Sequence, residues 1–449
     1  MNKERISVGD FLQANPDFTF DLEEYLISTT FVPLLQSQMK LFIAALGEES
    51  VPRYTPGAML KKIKGGVCQN VPAYRDYQSF DDYSNLPFIA KNDLRSSPSS
   101  FLSQDYERDR LWLKHTSGTT GPPIPIWYSP EFYFQLLLLS LRKVAARFGI
   151  TKLGRNPFFC LSISDIPAAK NSIIVDPTDE VGFILQVVVD TTRPETFARV
   201  FELLRVGRFE CISTKPSLFE LLVEHGANYG GTDEAPLFLV SGGHLLDEDL
   251  RQQLTSMFRA PVINTYGMTE FNVIASECSS GQLHLDDHAL FAEVYEDSNR
   301  PPGSHEGGEL VLSSLENLAM PLLRYRTGDQ GRISHETCTC GTHGRLLAGF
   351  YGRRIRCFVM NTGEKLSPTY FNDLFFHFPA LDEFQIAQKE FDVFEVFVAF
   401  KPDADDRAKT LQAIEAHVRQ SIPVAVKLTA AEKDFRSVSK FERYLTLVQ

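Results

Sequence analysis

The chain is 449 residues long, which exceeds the size at which a single core stops growing, and 43% of its residues are hydrophobic. Two or more globular domains are therefore expected. The 45 Lys and Arg residues against 57 Asp and Glu residues give a net charge of −12. This acidic balance argues against a general nucleic-acid binder and against a protein held on anionic membranes.

Two further features concern the compartment. The charged N-terminus lacks the apolar core of a signal peptide, and the most apolar short run, Phe132 to Leu141, is too brief to span a bilayer. Seven cysteines, an odd number scattered along the chain, do not resemble a disulfide framework. We therefore expect a cytoplasmic protein with reduced thiols.

The first part of the chain, up to about Asp109, mixes helical patterns with Pro- and Gly-bearing connections, and its clearest helix runs from Phe31 to Leu46. Ile124 to Tyr128 can form a strand. Ser129-Pro130-Glu131 then supplies an N-cap, a first-turn proline and an acidic residue for a helix that ends near Gly149. Residues 115–121 are thus predicted to lie at a strand-to-helix junction.

The remaining chain divides into three patterns. Between residues 156 and 262, short apolar runs alternate with helical stretches, which is the rhythm of α/β units with a mostly parallel sheet. Residues 289–333 indicate shorter strands. Beyond Gly352, strand-like residues 391–400 and helix-like residues 404–420 suffice for a small α+β domain.

The predicted fold class is therefore α/β, with two domains. Residues 1–352 form a large N-terminal domain of several subdomains with mostly parallel sheets, in which residues 1–109 are a helical lead-in. Residues 353–449 form a small α+β C-terminal domain.

One segment, residues 115–121, interleaves hydroxyls with glycines in the sequence HTSGTTG. Such a backbone can wrap closely around a phosphate chain, so ATP is the first ligand that it suggests. Taken alone, a short Gly/Ser/Thr run is as often a polar turn, and the interpretation depends on the rest of the chain. The residues assigned to the phosphates are Thr116, Ser117, Gly118, Thr119, Thr120 and Gly121.

Four later segments each fit a chemical need of ATP. Thr269-Glu270 offers a hydroxyl for phosphate and a carboxylate for Mg²⁺. Tyr266 can lie against a purine, and Asp329 can accept two hydrogen bonds from a ribose diol. Arg353 offers a charged fork for phosphate or ribose oxygens, and Lys440 can neutralise the charge that builds up as a carboxylate attacks phosphorus. Each residue taken singly also has an ordinary packing or surface interpretation.

In this order the segments resemble those of acyl-adenylate-forming enzymes, most closely the phenylacetate–coenzyme A ligase branch. The resemblance runs from about Pro87 to Lys440 and includes the lead-in LPFIAKNDLR and the helix start TKPS. Segments 277–284 and 338–341 are more particular to this branch. In the resembling proteins, adenine is lined by the loop that corresponds to Ser241, Gly242 and Gly243, and Tyr266 and Gly267 belong to the YGMTE segment.

The resemblance implies an ATP-dependent ligase with two steps. A small-molecule carboxylic acid, aromatic or otherwise bulky, attacks the α-phosphate of MgATP to give acyl-AMP and pyrophosphate, and a thiol, usually that of coenzyme A, then displaces AMP. The small C-terminal domain is mobile in such enzymes and presents Lys440 for the first step. Lys440, Glu270 and Thr269 are the expected catalytic residues.

Alternatives to this reaction stay open. The acceptor could be a carrier-protein thiol or an amine in place of coenzyme A. A non-catalytic nucleotide- or acyl-binding protein is a further alternative, and a homodimer is compatible with the resemblance.

Four departures from the branch limit how much is carried over. Pro122-Pro123 stands where many relatives have a lysine, and Arg354-Ile355-Arg356 stands where acidic hinge residues are usual. Ser439 replaces a glycine beside the expected catalytic lysine. Residues 158–170 differ from the glycine- and aromatic-rich segment near the acid pocket. The acid and the thioester-forming step are thus the least determined features.

Cysteine and histidine side chains also suggest a metal site. Thiolate and imidazole suit tetrahedral zinc, and a C-x-C pair can equally be two buried thiols in a turn. His343 or Cys357 could supply the fourth zinc ligand instead of one of the four candidates named next. The candidate structural zinc ligands are Cys278, His284, Cys338 and Cys340.

Overall fold

The computed structural model describes most of the chain. The described residues are 7–47, 54–116, 123–154, 158–166, 169–177, 182–191, 193, 195–226, 235–295, 307–350, 357–363, 365–366, 371, 374–422, 427–433 and 444–447. Over these ranges, no helix combines the length and the apolar character that crossing a bilayer requires.

Helices occupy the N-terminal part and alternate with strands in the centre. The α-helices are α1 Val8–Ala14, α2 Leu22–Thr29, α3 Val32–Gly47, α4 Pro56–Lys62, α5 Cys68–Asn70, α6 Lys91–Ser96, α7 Pro130–Leu138, α8 Ser140–Phe148, α9 Glu195–Val206, α10 Pro216–His225, α11 Glu248–Phe258, α12 Leu374–His377 and α13 Arg407–Ser421. The helix predicted over residues 31–46 is thus present as α3.

Strands run from the N-terminal part to the end of the chain. They are β1 Thr19–Phe20, β2 Trp112–His115, β3 Pro125–Tyr128, β4 Phe158–Ser164, β5 Ser172–Asp176, β6 Gly182–Val188, β7 Phe209–Thr214, β8 Phe238–Gly242, β9 Val262–Met268, β10 Asn272–Glu277, β11 Leu283–Leu285, β12 Phe291–Tyr295, β13 Gly308–Ser314, β14 Leu322–Ser334, β15 Leu346–Ala348, β16 Phe358–Val359, β17 Lys365–Leu366, β18 Leu381–Glu390, β19 Val393–Phe400, β20 Lys427–Glu432 and β21 Tyr444–Thr446.

One large sheet organises residues before 350. Its strand order is β1-β5-β6-β4-β7-β8-β9-β10-β11-β15-β14-β13-β12. The run β6-β4-β7-β8-β9 is parallel, as the α/β rhythm predicts, and so is the β1–β5 pair. From β9 onward every neighbour is antiparallel. The fold class is confirmed, and parallel pairing is confined to the first half of the sheet.

The parallel strands are buried on both faces. Along β8, Leu239 joins the core that α9, α10 and α11 cover, whereas Phe238 and Val240 join the core on the opposite face. Alternation of side chains across a strand produces this division, and helices on both faces explain the continuously apolar sequence. Complete burial of one such side chain contributes about 1.5–3 kcal/mol.

The helical segment after β3 begins and ends as the sequence predicts, with one interruption. Ser129 caps α7, because its Oγ accepts a hydrogen bond from the Phe132 amide at 3.3 Å, and Pro130 occupies the first turn. The helix breaks at Leu139, and α8 then ends at Gly149, whose φ of +96° terminates it in the left-handed region.

The glycine-rich segment has a different setting from the predicted one. Strands β2 and β3 pair antiparallel, with His115 opposite Pro125, and residues 117–122 between them lie outside the described residues. The strand-to-helix junction comes after β3. The prediction was wrong because periodicity does not reveal the short strand β2, whose side chains are mostly exposed.

The C-terminal residues have a core of their own. A four-stranded sheet of order β20-β19-β18-β21 packs with α13, and its buried side chains form one cluster drawn from residues 358–444. Strand β19 and helix α13 correspond to the predicted strand-like and helix-like stretches. The predicted domain boundary after residue 352 lies outside the described residues.

Candidate active site

The centre of the site is a tyrosine–aspartate pair on two strands of the large sheet. Tyr266 lies near the end of β9 and donates a hydrogen bond from Oη to Oδ2 of Asp329 on β14 at 2.9 Å. The tyrosine is 8% exposed, and its ring packs against Phe350 with the centroids 4.2 Å apart. Burial, reinforced by the charge of Asp329, raises the pKa of Tyr266 well above its usual value. Its hydroxyl therefore remains a donor at neutral pH.

A local irregularity in β14 presents Asp329. The pairing of β14 with β13 shifts between Glu309 and Val311, and Gly328 adopts a φ of +80°, which a side chain would strain. Thr327 stabilises this shape, because its Oγ1 donates to the Leu310 carbonyl at 2.8 Å and accepts from the Asp329 amide at 3.0 Å. The bulge directs a carboxylate beside β9.

The turn between β9 and β10 carries Thr269 and Glu270. Tyr325 on β14 donates from Oη to Oε1 of Glu270 at 2.7 Å, and Tyr128 on β3 donates to the Thr269 carbonyl at 2.7 Å. Glu270 is only 6% exposed. Burial and the adjacent Glu270 charge raise the pKa of Tyr325, so this phenol also stays a donor. Two tyrosines thus hold the turn.

Ser241, Gly242 and Gly243 lie at the carboxyl end of β8. Thr265 on the neighbouring parallel strand donates from Oγ1 to the Ser241 carbonyl at 3.0 Å, and a Cβ at Gly242 would stand 2.6 Å from Oγ1 of Thr265. Gly243 has a φ of +87°, which turns the chain sharply away from the sheet. The predicted adenine loop therefore lies next to the strand end that carries Tyr266, a common place for ligands in α/β sheets.

The other residues predicted to bind the nucleotide either take defined positions in the fold or lie outside the described residues. Thr116 closes the base of the β2–β3 hairpin, because its amide donates to the Ile124 carbonyl at 3.0 Å and its Oγ1 accepts from the Ile124 amide at 2.9 Å. Gly267 lies on β9, where a Cβ would stand 2.7 Å from the Asn272 carbonyl oxygen. Seven predicted residues lie outside the described part of the chain: Ser117, Gly118, Thr119, Thr120, Gly121, Arg353 and Lys440.

Helix α6 brings two cationic side chains, Lys91 and Arg95, to the site, and neither was predicted as a site residue from the sequence. A Cβ built at Gly328 would lie 3.8 Å from Nζ of Lys91, so this ammonium group lies beside the bulge that presents Asp329. Partial burial lowers the pKa of Arg95, while Glu383, Tyr325, Asp382 and Glu270 raise it. The guanidinium of Arg95 therefore interacts electrostatically with both Glu270 and acidic residues of the C-terminal sheet.

The position of α6 follows from its pairing with β14. The Ile89 amide donates to the Arg324 carbonyl at 3.0 Å, and the Arg326 amide donates to the Ile89 carbonyl at 2.8 Å. Asp93 caps the helix start by accepting from the Ala90 amide at 2.7 Å. Lys91 and Arg95 are four residues apart and share one helix face. This spacing within the LPFIAKNDLR segment was the available signal.

The four candidate metal ligands come together at the far end of the antiparallel strands. One ligand atom from each of Cys278, His284, Cys338 and Cys340 lies within 4.8 Å of the others. The alternative fourth ligand Cys357 lies elsewhere, donating from Sγ to the Ser217 carbonyl at 3.8 Å. Among the described residues, the first predicted set is therefore the one that the fold assembles.

Comparison with known proteins agrees with this architecture. Residues 182–316 match the family model described as AMP-binding enzyme. The chain is 28% identical over 325 residues to a phenylacetate-coenzyme A ligase of Thermus thermophilus, covering 66% of this chain and 70% of that protein. It is 26% identical over 302 residues to a D-alanine–D-alanyl carrier protein ligase of Bacillus velezensis, covering 59% of this chain and 57% of that protein.

A solved structure shares the fold over most of the chain. A 2-hydroxyisobutyryl-CoA ligase in complex with 2-HIB-AMP and CoA superimposes with a TM-score of 0.56 at 16% identity, covering 88% of this chain and 90% of the other. The family match over residues 182–316 and the overall fold are shared with proteins of the acyl-adenylate-forming superfamily. Within that superfamily, the chain is similar to phenylacetate-coenzyme A ligases, at 28% and 24% identity to two of them.

Proposed function

We propose that this protein uses ATP to activate an organic carboxylic acid, aromatic or otherwise bulky, and passes the acyl group to the thiol of coenzyme A. The observation that carries the proposal is the Tyr266–Asp329 hydrogen bond of 2.9 Å beside the loop at residues 241–243. It gives one surface an aromatic ring, a hydroxyl and a carboxylate. Adenosine requires these same partners for its base and its ribose diol.

The reaction assigns a task to each group. Asp329 accepts hydrogen bonds from the ribose, while Tyr266 and residues 241–243 flank the adenine. The acid's carboxylate oxygen forms a bond to the α-phosphorus as the bond from that phosphorus to the bridging oxygen of pyrophosphate breaks. Lys440 offsets the negative charge that grows in this step, and the thiol then displaces AMP.

A magnesium ion accompanies ATP in this proposal, and Glu270 suits it. Glu270 is a buried carboxylate whose Oε1 is held by the Tyr325 hydroxyl at 2.7 Å, and Mg²⁺ takes oxygen ligands. Together with Thr269, Glu270 would hold the ion, which supplies positive charge to the phosphates. The tyrosine hydrogen bond fixes the carboxylate rotamer before the ion and the nucleotide arrive.

The lysine role is tested by ATP–pyrophosphate exchange across a panel of aryl and aliphatic acids. We expect Lys440→Ala to lower the exchange rate by about 100-fold or more, because a charge aimed at the transition state contributes this much. Lys427→Ala, which alters an exposed lysine on β20 in the C-terminal sheet, is the control and keeps the rate. Near-normal exchange by Lys440→Ala would refute the assigned role.

The same panel separates the competing functions. If no acid supports exchange while ATP still binds, the protein is a non-catalytic nucleotide-binding homologue. If exchange occurs, coenzyme A and carrier proteins are compared as acceptors. A carrier protein is the second candidate, because a D-alanyl carrier protein ligase is among the similar proteins and Arg354-Ile355-Arg356 departs from the usual hinge.

A further inference from the structure

The cluster of Cys278, His284, Cys338 and Cys340 has the dimensions of a metal site. Sγ of Cys278 lies 3.7 Å from Sγ of Cys338, and Sγ of Cys340 lies 3.4 Å from Nε2 of His284. Tetrahedral zinc, with Zn–S of about 2.3 Å and Zn–N of about 2.0–2.1 Å, separates two sulfurs by about 3.8 Å and sulfur from nitrogen by about 3.6 Å. We propose that these four side chains bind one structural zinc ion.

The surroundings of the cluster differ from those of the other cysteines. Cys68, Cys160, Cys211 and Cys357 are buried in the two large apolar cores, where a thiol packs as a small hydrophobic group. The cluster cysteines instead form a separate group whose aliphatic member is Leu346. The Cys278–Cys338 separation also exceeds the bond length of about 2.05 Å in a disulfide.

Two matching turns present the thiols. The Gly281 amide donates to the Cys278 carbonyl at 2.9 Å, and the Gly341 amide donates to the Cys338 carbonyl at 3.3 Å. Both glycines have positive φ, +72° and +77° respectively. Each cysteine at residues 278 and 338 thus begins a tight turn closed by a glycine three residues later, and the turns touch where Thr339 donates from Oγ1 to Oγ of Ser280 at 3.0 Å.

A buried cation balances the charge of the proposed centre. Zinc with three thiolates and a neutral imidazole carries a net charge of −1. Arg147 on α8 is 4% exposed, and its charge interacts with Cys340 and Cys278 as well as with Asp286 and Asp287. Its Nη1 has no hydrogen-bond partner among the described residues. A guanidinium group so placed offsets an anionic metal centre that would otherwise be costly to bury.

The zinc ion would join three parts of the antiparallel sheet. Cys278 follows β10, His284 lies on β11, and the two remaining ligands lie between β14 and β15. All four positions belong to the protein, so the site is closed and structural rather than catalytic. Strand β10 pairs with β9, which carries Tyr266, and the segment with Cys338 and Cys340 follows β14, which carries Asp329. The ion would therefore secure both strands.

The test is elemental analysis of the tag-free, full-length protein purified from zinc-supplemented cells. We expect about one zinc ion per chain in the native protein, and a loss of at least fivefold in Cys340→Ser and Cys278→Ser. Cys68→Ser, which removes a buried thiol remote from the cluster, keeps the metal. His284→Cys retains a complete ligand set and should also keep zinc if the variants with fewer ligands fail to fold.

A second readout identifies the ligands. Replacing zinc with Co²⁺ in the native protein should give the visible absorption of tetrahedral thiolate coordination, and Cys68→Ser should give the same spectrum. A native protein with less than about one-fifth of a zinc per chain, or a Cys278–Cys338 disulfide by mass spectrometry, would overturn the proposal. Neither measurement depends on adenylation, so failure of the zinc proposal is distinguishable from failure of the proposed activity.

Discussion

Two carboxylates at the site, the buried Glu270 and the partly buried Asp329, are each held by a tyrosine hydroxyl. Asp329 receives the hydroxyl of Tyr266 and Glu270 receives that of Tyr325, at 2.9 and 2.7 Å. Among the described residues, neither carboxylate forms an ion pair, although Arg95 lies close enough to interact with Glu270. A neutral donor orients a carboxylate without cancelling its charge, so both remain strong acceptors for a ligand.

The first prediction follows from the charge on Asp329. We expect Asp329→Asn to raise the KM for ATP about 10- to 100-fold, because a hydrogen bond to a charged group contributes about 1.5–3 kcal/mol. Steady-state ATP–pyrophosphate exchange at varied ATP measures the change. Asp249→Asn, on the exposed face of α11, is the control and leaves KM unaltered. An unchanged KM in Asp329→Asn would rule out the ribose contact.

At the scale of elements, the hairpin of β9 and β10 positions the chemistry. Its turn projects Thr269 and Glu270 from the sheet, and it is tight enough that Gly267 packs directly against the backbone of Asn272, whose own φ is +63°. Register in the hairpin shifts between Val273 and Ala275. This bulge re-aims the strand end, as bulges next to active sites commonly do.

The close approach at Gly267 gives the second prediction. A Cβ there would lie 2.7 Å from the Asn272 carbonyl oxygen, so Gly267→Ala must displace backbone rather than a flexible side chain. We expect a fall of about tenfold or more in kcat/KM for exchange, since a small misplacement of reacting groups is costly. Gly57→Ala in α4, where nothing lies within 4 Å, serves as the control. Equal activity in the two variants would contradict the proposed role of the turn.

At the scale of the whole molecule, buried tyrosines tie the sheet to the helical lead-in. Tyr74 is fully buried and donates its hydroxyl to the Pro321 carbonyl at 2.8 Å, and Tyr54 donates to Glu316 at 2.6 Å. Burial raises the pKa of Tyr74, Tyr266 and Tyr325. Chain segments some 250 residues apart in sequence are thereby joined through phenols that must stay protonated.

These raised pKa values make the fold sensitive to alkali. Above about pH 10 the unfolded chain loses its tyrosine protons while the folded chain keeps them, so stability is complete below pH 10 and falls as pH rises. Each such tyrosine contributes a slope of about 1.4 kcal/mol per pH unit. We expect lower urea midpoints at pH 11 than at pH 8, with the buried tyrosines ionising only on unfolding. Tyrosinate absorbance that rises fully near pH 10 without unfolding would contradict this.

Much of the fold could be predicted from local sequence patterns alone. Alternation of apolar runs with helical stretches predicted the parallel strands, and Ser129 and Gly149 marked the ends of the α7–α8 segment correctly. The antiparallel second half of the large sheet was less accessible to prediction. Its strands pair through long-range contacts that neighbouring residues do not encode, and the exposed strand β2 carries no apolar alternation.

The sequence by itself determined which residue types could serve adenosine, phosphate and metal, because glycines, hydroxyls, carboxylates and thiols have distinct chemistry wherever they lie. Only the tertiary structure decided which of them meet. It joined Tyr266 to Asp329 across 63 positions, set Tyr325 on Glu270, and brought α6 with Lys91 to the bulge at Gly328. Such contacts depend on strand pairing and register, which are set by the packing of the whole sheet rather than by any single segment.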